Sequence, residues 1–368
     1  MISTKRSIAI IGTRGYPSYY GGFETLIRHL APFLAEQGWD VTVYSRPGAT
    51  VPDDPARDHR VGIRNTVGFE SQSLSTLSYG LSSCLDSAVK KPDVALVLNV
   101  ANGFFLPLLK ARGIPTVVNV DGIEWEREKW GTRARQVFRA GARMTARHAT
   151  RLVVDSHEIK RRWENDFQRV GDFIPYGGDV VEKLSPIGGL TPKEYVLMVA
   201  RFVPENTVAE FFEAAEVLSR ERDVVIVGSS GYGGELDEQA RDLAARNDRV
   251  KWLGHVSDDE KLFSLWQNAG AYFHGHSVGG TNPALVQAMA CSAPIVARDT
   301  VYNREVLGNA GKFVEAEASE IVTAVTDLID DSAGQQVMSD RAVQRAFDHY
   351  TWEDVCQRYE ETLLAAIG

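Results

Sequence analysis

A short apolar strand, a glycine loop and a proline-started helix follow one another without a break over residues 271–291, Ala-Tyr-Phe-His-Gly-His-Ser-Val-Gly-Gly-Thr-Asn-Pro-Ala-Leu-Val-Gln-Ala-Met-Ala-Cys. This succession restricts the fold more than any other stretch of the chain. Ala271–Phe273 reads as the end of a buried strand. Gly279-Gly280 can turn through positive φ and lets a ligand come close to the main chain. Asn282 suits a helix N-cap, and Pro283 then stands at the first helical position, where a missing N–H costs nothing. The predicted product is a helix N-terminus with free N–H groups over a glycine loop, where donors and helix dipole both favour a phosphate. The plainer reading is an ordinary loop-to-helix turn.

A related succession begins at Ile8–Ile11, a continuous apolar run of the parallel-strand type. It ends in Gly12-Thr13-Arg14-Gly15-Tyr16-Pro17, and a second turn, Gly21-Gly22, opens a helix through Ala35. Val41–Tyr44 is the next strand. The glycines of this βαβ unit lie at the carboxyl end of the first strand, where open α/β sheets bind ligands. A dinucleotide fingerprint is missing: the spacing is not G-x-G-x-x-G, and the second strand ends in Ser45-Arg46 instead of an acidic residue. Gly15, Gly21 and Gly22 read either as a cradle for a diphosphate or sugar, or as a packing turn. Further strands are predicted at Val94–Leu98, Thr116–Val120, Leu152–Asp155 and Phe173–Ile174. Asp121 follows one of them. It reads equally well as a catalytic carboxylate at a strand end and as a helix cap paired with Glu124.

The best linker is 180–194, rich in proline, glycine and polar residues without periodicity. Strands at Tyr195–Ala200, Asp223–Val227, Val250–Leu253, Ala271–Phe273 and Pro294–Ala297 then alternate with helices, which implies a second parallel sheet with right-handed crossovers. Residues 1–180 and 195–350 are the predicted domains. Residues 351–368 form an amphipathic helix that packs on its own domain or braces both. A chain of 368 residues is too long for one ordinary core. Hydrophobic and charged fractions of 44% and 24% fit a globular protein without a membrane span. The apolar run at Ile8–Ile11 is too short for a signal peptide, so a cytoplasmic location is expected. Cys84, Cys291 and Cys356 are scattered and match neither a disulfide framework nor a zinc site. A net charge of −9 argues against nucleic acid as a partner. Against that acidic background Arg135, Arg139, Arg143, Arg147 and Arg151 recur every four residues. On a helix they form a cationic stripe, suited to anionic lipid headgroups at the inner face of a membrane or to pairing with local carboxylates.

Taken together and in order, Gly12–Pro17, Gly21–Glu24, Asn119–Trp125, Ala200–Asn206 and His274–Pro283 resemble the retaining glycosyltransferases of family 4, in a bacterial rhamnosyltransferase-type branch. The resemblance implies the GT-B architecture, two Rossmann-like doubly wound parallel-sheet domains facing across a cleft, with a C-terminal helix that can return to the N-terminal domain. It implies a nucleotide-sugar donor, a glycan or lipid-linked acceptor, and catalysis without a metal or other cofactor. Arg201 would bridge the diphosphate, and Gly279, Gly280 and Thr281 would add backbone donors. The family's companion lysine falls on Asn206. Its paired glutamates fall on Gly279 and Gln287, of which Gln287 keeps only an acceptor for a ribose hydroxyl. His276 and Asn282 complete the expected donor site. Asp121 stands where many relatives carry histidine; with Arg201 it is the expected catalytic pair. A nucleotide-sugar epimerase and a non-catalytic nucleotide-sugar-binding relative are the alternatives, and a dehydrogenase is disfavoured by the missing fingerprint.

Overall fold

The computed structural model describes residues 5–19, 21–50, 53–69, 75–127, 130–231 and 233–368. The chain forms two compact units, Met1–Pro175 with Trp352–Gly368, and Tyr176–Thr351. In the first unit β1 (Ser7–Ile11), α1 (Gly22–Glu36), β2 (Asp40–Ser45), β3 (Gly62–Asn65), α2 (Ser75–Lys90), β4 (Val94–Leu98), α3 (Leu106–Ala111), β5 (Thr116–Asn119), α4 (Thr132–His148), β6 (Arg151–Val154), α5 (His157–Phe167) and β7 (Asp172–Phe173) follow in order. In the second, β8 (Val196–Val199), α6 (Val208–Leu218), β9 (Val224–Val227), α7 (Glu235–Arg246), β10 (Val250–Trp252), α8 (Asp259–Asn268), β11 (Ala271–His274), α9 (Pro283–Ala290), β12 (Ile295–Arg298), α10 (Val301–Leu307), β13 (Lys312–Val314), α11 (Ala318–Asp330) and α12 (Ser332–His349) do the same. The last helix is α13 (Trp352–Ile367).

Both sheets are parallel, in the orders β3-β2-β1-β4-β5-β6-β7 and β10-β9-β8-β11-β12-β13. Their strands are apolar on both faces because both faces are covered. In the second sheet Val196, Met198, Ile226 and Phe273 pack on α6, α7 and α11. The alternate residues Leu197, Val225, Tyr272 and Ile295 pack on α8, α9 and α12. All of β4 is buried, and each Val or Leu there stabilises the unit by roughly 1.5–3 kcal/mol. The strand β3 carries no such signal: Gly62-Ile63-Arg64-Asn65 is an exposed edge strand held by its pairing to β2.

The segment expected to be a linker is fastened to α8. Gln267 accepts the Leu184 N–H (2.9 Å) and donates to the Glu182 carbonyl (2.9 Å), and Ser264 donates to the Ser185 carbonyl (2.7 Å). The amphipathic C-terminal helix α13 packs on α1, β4 and β5 of the first unit. Its Tyr359 hydroxyl accepts from the Asn119 side chain at 2.6 Å, and Glu360 accepts from the Trp39 indole at 2.8 Å. Replacing Tyr359 with phenylalanine leaves a buried amide N–H without an acceptor. It should cost about 1–3 kcal/mol, read as a lower urea midpoint. An unchanged midpoint would mean that this bond does not hold α13 in place.

On the same helix pair, His29 of α1 stacks face to face on Trp352, with centroids 4.1 Å apart. Burial, helped by the Arg28 charge, lowers the His29 pKa to about 4. The unfolded chain therefore binds a proton that the native chain does not at intermediate pH. The stabilisation is present above about pH 6.5 and is lost as pH falls towards 4. At pH 5 the loss from this ring is at most about 2 kcal/mol, at 1.36 kcal/mol per pH unit below 6.5. Urea unfolding at pH 7.5 and 5 should show a smaller acid destabilisation in His29→Phe, which keeps the stacked ring. Equal acid sensitivity in the two proteins would refute the assignment.

Candidate functional site

The order of each sheet reverses once, between β1 and β4 in the first unit and between β8 and β11 in the second. Loops at the carboxyl ends of those strands are where a doubly wound sheet opens to ligands. Most predicted site residues lie on the loops after β1, β8 and β11; Gly22 and Gln287 lie in α1 and α9, and Asp121 follows β5.

In the first unit Gly12 leaves β1 at φ +105°, and a Cβ there would meet the Leu98 carbonyl of β4. The loop that follows is tied to α1 by buried Glu24, whose carboxylate accepts the Arg14 N–H (2.9 Å) and the Thr13 hydroxyl (3.2 Å). Gly21 caps α1 without a side chain, and Gly22 is its first residue. Gly15 packs against Ala49 and Thr50, so a Cβ would come within 2.9 Å of the Thr50 hydroxyl. The structure thus supplies a packing reason for Gly15. Beside Gly12 a small recess is lined by Thr13, Tyr44, Arg46 and Tyr79.

Asp121 follows β5 at φ +62°, and Asn99 follows β4 at φ +71°. Two non-glycine residues in the left-handed region at neighbouring strand ends are held there against about 1–3 kcal/mol each. The Asn99 amide donates to the Asp121 carboxylate at 3.3 Å, and the Asp121 N–H donates to Asn119 Oδ1 at 2.9 Å. Through Asn119 the chain of hydrogen bonds reaches Tyr359. The capping-box reading of Asp121 is not realised. The following 3-10 turn, Glu124–Glu126, has Ile123 at its cap, and Glu124 pairs with Arg127 (2.7 Å) and Trp130 (3.0 Å).

In the second unit Arg201 follows β8. Its side chain is exposed and has no hydrogen-bond or ion-pair partner among the described residues. Asn206 is buried and donates to the Arg201 carbonyl at 2.9 Å. It therefore shapes the turn that presents Arg201. Thr207 sits at φ +55°; its hydroxyl donates to the Gly275 carbonyl (2.6 Å) and accepts from Arg298 (3.1 Å). A Cβ on Gly275 would meet the Asn206 carbonyl. The Ser277 N–H (3.0 Å) and hydroxyl (2.8 Å) both donate to the Glu205 carbonyl. These bonds stitch the turn after β8 to the loop after β11.

That loop differs from expectation in where its donors lie. Asn282 caps α9 as read from the sequence, accepting the Ala284 N–H at 3.0 Å, and Pro283 begins the helix. The Asn282 carbonyl takes the Leu285 and Val286 N–H groups at 3.0 and 3.1 Å. With no N–H on Pro283, the first turn of α9 has no donor left. Free N–H groups lie earlier, on Gly279, at φ +107°, and Gly280; no acceptor faces either among the described residues. Thr281 is buried beside them. The His276 ring stacks on His274 at 4.4 Å, and the His276 carbonyl accepts from Asn303 at 2.9 Å. His274 is fully buried, with Nδ1 paired to the Tyr272 hydroxyl at 2.9 Å. Burial lowers its pKa to about 3, so the ring is neutral. Gln287 is also held by the main chain. Its Oε1 accepts the Asp179 N–H (2.8 Å) and its Nε2 donates to the Asp179 carbonyl (3.1 Å), so the amide fastens the main chain at Asp179.

The arginine stripe is shorter than its spacing implied. Arg135, Arg139, Arg143 and Arg147 lie on α4, but the helix ends at His148. Arg151 belongs to β6 and forms a bidentate pair with Asp172. Arg139, Arg143 and Arg147 are exposed and have no carboxylate partner among the described residues. On α2, Leu81, Leu85 and Val89 are 40%, 49% and 78% exposed at successive four-residue steps. Both helices pack on α3. Among the described residues no three His, Cys, Asp or Glu side chains gather to hold a metal, and no helix is long and apolar enough to cross a membrane.

Comparison with known proteins adds the following. Residues 21–177 match the family model described as Glycosyl transferase 4-like domain, and residues 181–345 the model described as Glycosyl transferases group 1. O-antigen chain mannosyltransferase B of Escherichia coli is 24% identical over 167 residues, 44% of this chain and 43% of that one. The chain spans about half the length of the curated relatives it matches. Sucrose-phosphate synthase from Thermosynechococcus elongatus superimposes with a TM-score of 0.78 at 17% identity, over 98% of this chain and 100% of that one. Anabaena Alr3699/HepE in complex with UDP-glucose gives 0.75 at 17% identity, over 98% and 99%. These structural likenesses establish the fold.

Proposed function

Because its two halves belong to the glycosyl transferase 4-like and glycosyl transferases group 1 families, with the GT-B fold, we propose that this chain is a retaining glycosyltransferase. It moves a hexose, rhamnose among the candidates, from a nucleoside-diphosphate sugar to a glycan or lipid-linked acceptor in surface polysaccharide assembly. One observation carries the reading: an exposed Arg201 on a pinned turn, stitched to a glycine loop whose Gly279 and Gly280 amides are uncommitted. A guanidinium fork and preorganised amides are what a departing diphosphate requires, since negative charge grows on it as the glycosidic bond breaks. Arg201 holds the diphosphate, Gly279 and Gly280 supply N–H groups, and the acceptor hydroxyl attacks from the same face of the sugar. Asp121 either polarises that hydroxyl or faces the positive charge developing on the sugar. The name of the E. coli relative supports polysaccharide assembly, and the UDP-glucose complex of the Anabaena protein supports a nucleoside-diphosphate hexose.

A cytoplasmic chain working at the inner face of the membrane completes the reading. Exposed Arg139, Arg143 and Arg147 on α4, with the apolar row Leu81, Leu85 and Val89 on α2, combine the cationic and apolar contacts that an anionic lipid surface rewards.

The test is a thermal-shift panel of UDP-, dTDP- and GDP-sugars, followed by transfer assays with the best donor. A ligand at 100 times its Kd adds about 2.7 kcal/mol of stability. Turnover of the donor without any acceptor would replace transfer by epimerisation. Tight binding with neither transfer nor hydrolysis would make the chain a binding relative.

A further inference from the structure

We propose that Glu205 recognises the donor sugar itself, its carboxylate accepting hydrogen bonds from sugar hydroxyl groups. This rests on the donor reading above and adds to it a residue and the part of the ligand that it reads. Glu205 is 4% exposed, yet neither carboxylate oxygen has a hydrogen-bond partner among the described residues. A carboxylate withdrawn from water without donors is costly, and buried polar groups in native proteins almost always find partners. The residue is fixed in place, because its carbonyl takes both the N–H and the hydroxyl of Ser277. It therefore stands at the joint of the two loops that meet at the sheet reversal. The same corner holds a second unmet atom, Nε2 of His274, at the end of the neighbouring strand.

The chemistry of the group selects its ligand. An ionised carboxylate only accepts hydrogen bonds. A diphosphate offers no donor and repels it, whereas sugar hydroxyls are donors. A metal is not supported, since no three ligating side chains gather among the described residues. Nor does the turn supply a neutralising lysine: residue 206 is asparagine, and its amide is committed to the Arg201 carbonyl.

Calorimetric titration of the native chain, Glu205→Gln and Glu205→Ala with UDP, dTDP and GDP, each beside UDP-glucose, dTDP-rhamnose and GDP-mannose, tests the assignment. Glu205→Gln keeps the size of the side chain, and melting temperatures check both folds. The variants should bind the preferred nucleoside diphosphate within about twofold of native, and its sugar conjugate about tenfold more weakly, a loss of about 1.4 kcal/mol. A conjugate lacking the recognised hydroxyl should be discriminated against by the native chain and not by Glu205→Ala. Equal losses for diphosphate and conjugate, as from a contact to the ribose or a scaffold role, would overturn the proposal, as would no loss in either. A native chain that binds the diphosphate with unaltered variants refutes Glu205 alone. One that binds neither diphosphate nor conjugate refutes the donor reading as well.

Discussion

Arg201→Ala should remove nearly all sugar transfer while leaving the fold intact. The side chain is exposed and touches no partner among the described residues, so its loss should change stability by no more than about 0.5 kcal/mol. Its proposed role is confined to the diphosphate, where charge grows as the bond to the sugar breaks. Removing one such preorganised donor typically costs about 10²–10³ in rate. Donor affinity should fall too, because the ground-state diphosphate is already dianionic. Arg201→Lys separates charge from geometry: it keeps the cation and loses the bidentate fork, and should recover part of the binding but less of the rate. Asn206→Ala gives a milder version. That change deletes the bond holding the Arg201 carbonyl, so transfer should drop with some loss of stability as well. If Arg201→Ala transfers sugar and binds donor like the native chain, the phosphate assignment is wrong.

Much of the architecture was written in short-range pattern. Continuous apolar runs announced the central strands, because both faces of a parallel sheet are covered. Asn282-Pro283 announced the start of α9 at the residue where it begins. What could not be read depends on contacts far along the chain or on backbone angles that side-chain type does not encode. Gln287 looks like a free amide until Asp179, 108 residues away, is laid against it. The four-residue rhythm of arginines runs through the end of α4 without a break, although Arg151 belongs to β6. Edge strand β3 has too few apolar residues to register. Asn99 is not legible as a site residue, because nothing in Leu98-Asn99-Val100 signals positive φ beyond the tolerance of asparagine for it. Glu205 is hidden in the sequence for the opposite reason: a glutamate in a turn is ordinary, and only its burial without partners sets it apart. Asp121 was ambiguous because a cap and a strand-end carboxylate are spelled alike; the position of the following turn decided against the cap.

Asp121→Asn is the substitution that isolates charge at that position. Asparagine occupies the left-handed region as readily as aspartate, so the φ of +62° is preserved. The Asn99 amide, 3.3 Å from the carboxylate, keeps an acceptor if the new amide presents its oxygen. The unfolding midpoint should therefore move little. If Asp121 takes or polarises the acceptor proton, or faces the positive sugar, the loss of charge should lower kcat by about 10²-fold or more. Donor binding should survive, because the phosphate contacts proposed here come from Arg201 and the Gly279–Gly280 loop. Asp121→Ala should lose comparable activity and also about 1–3 kcal/mol of stability, since alanine both resists positive φ and strands the Asn99 amide. The pair of variants thus separates a catalytic carboxylate from a residue that merely closes the end of β5. A kcat within twofold of native in Asp121→Asn, beside a destabilised Asp121→Ala, would assign the residue to the scaffold and leave catalysis to the diphosphate contacts alone.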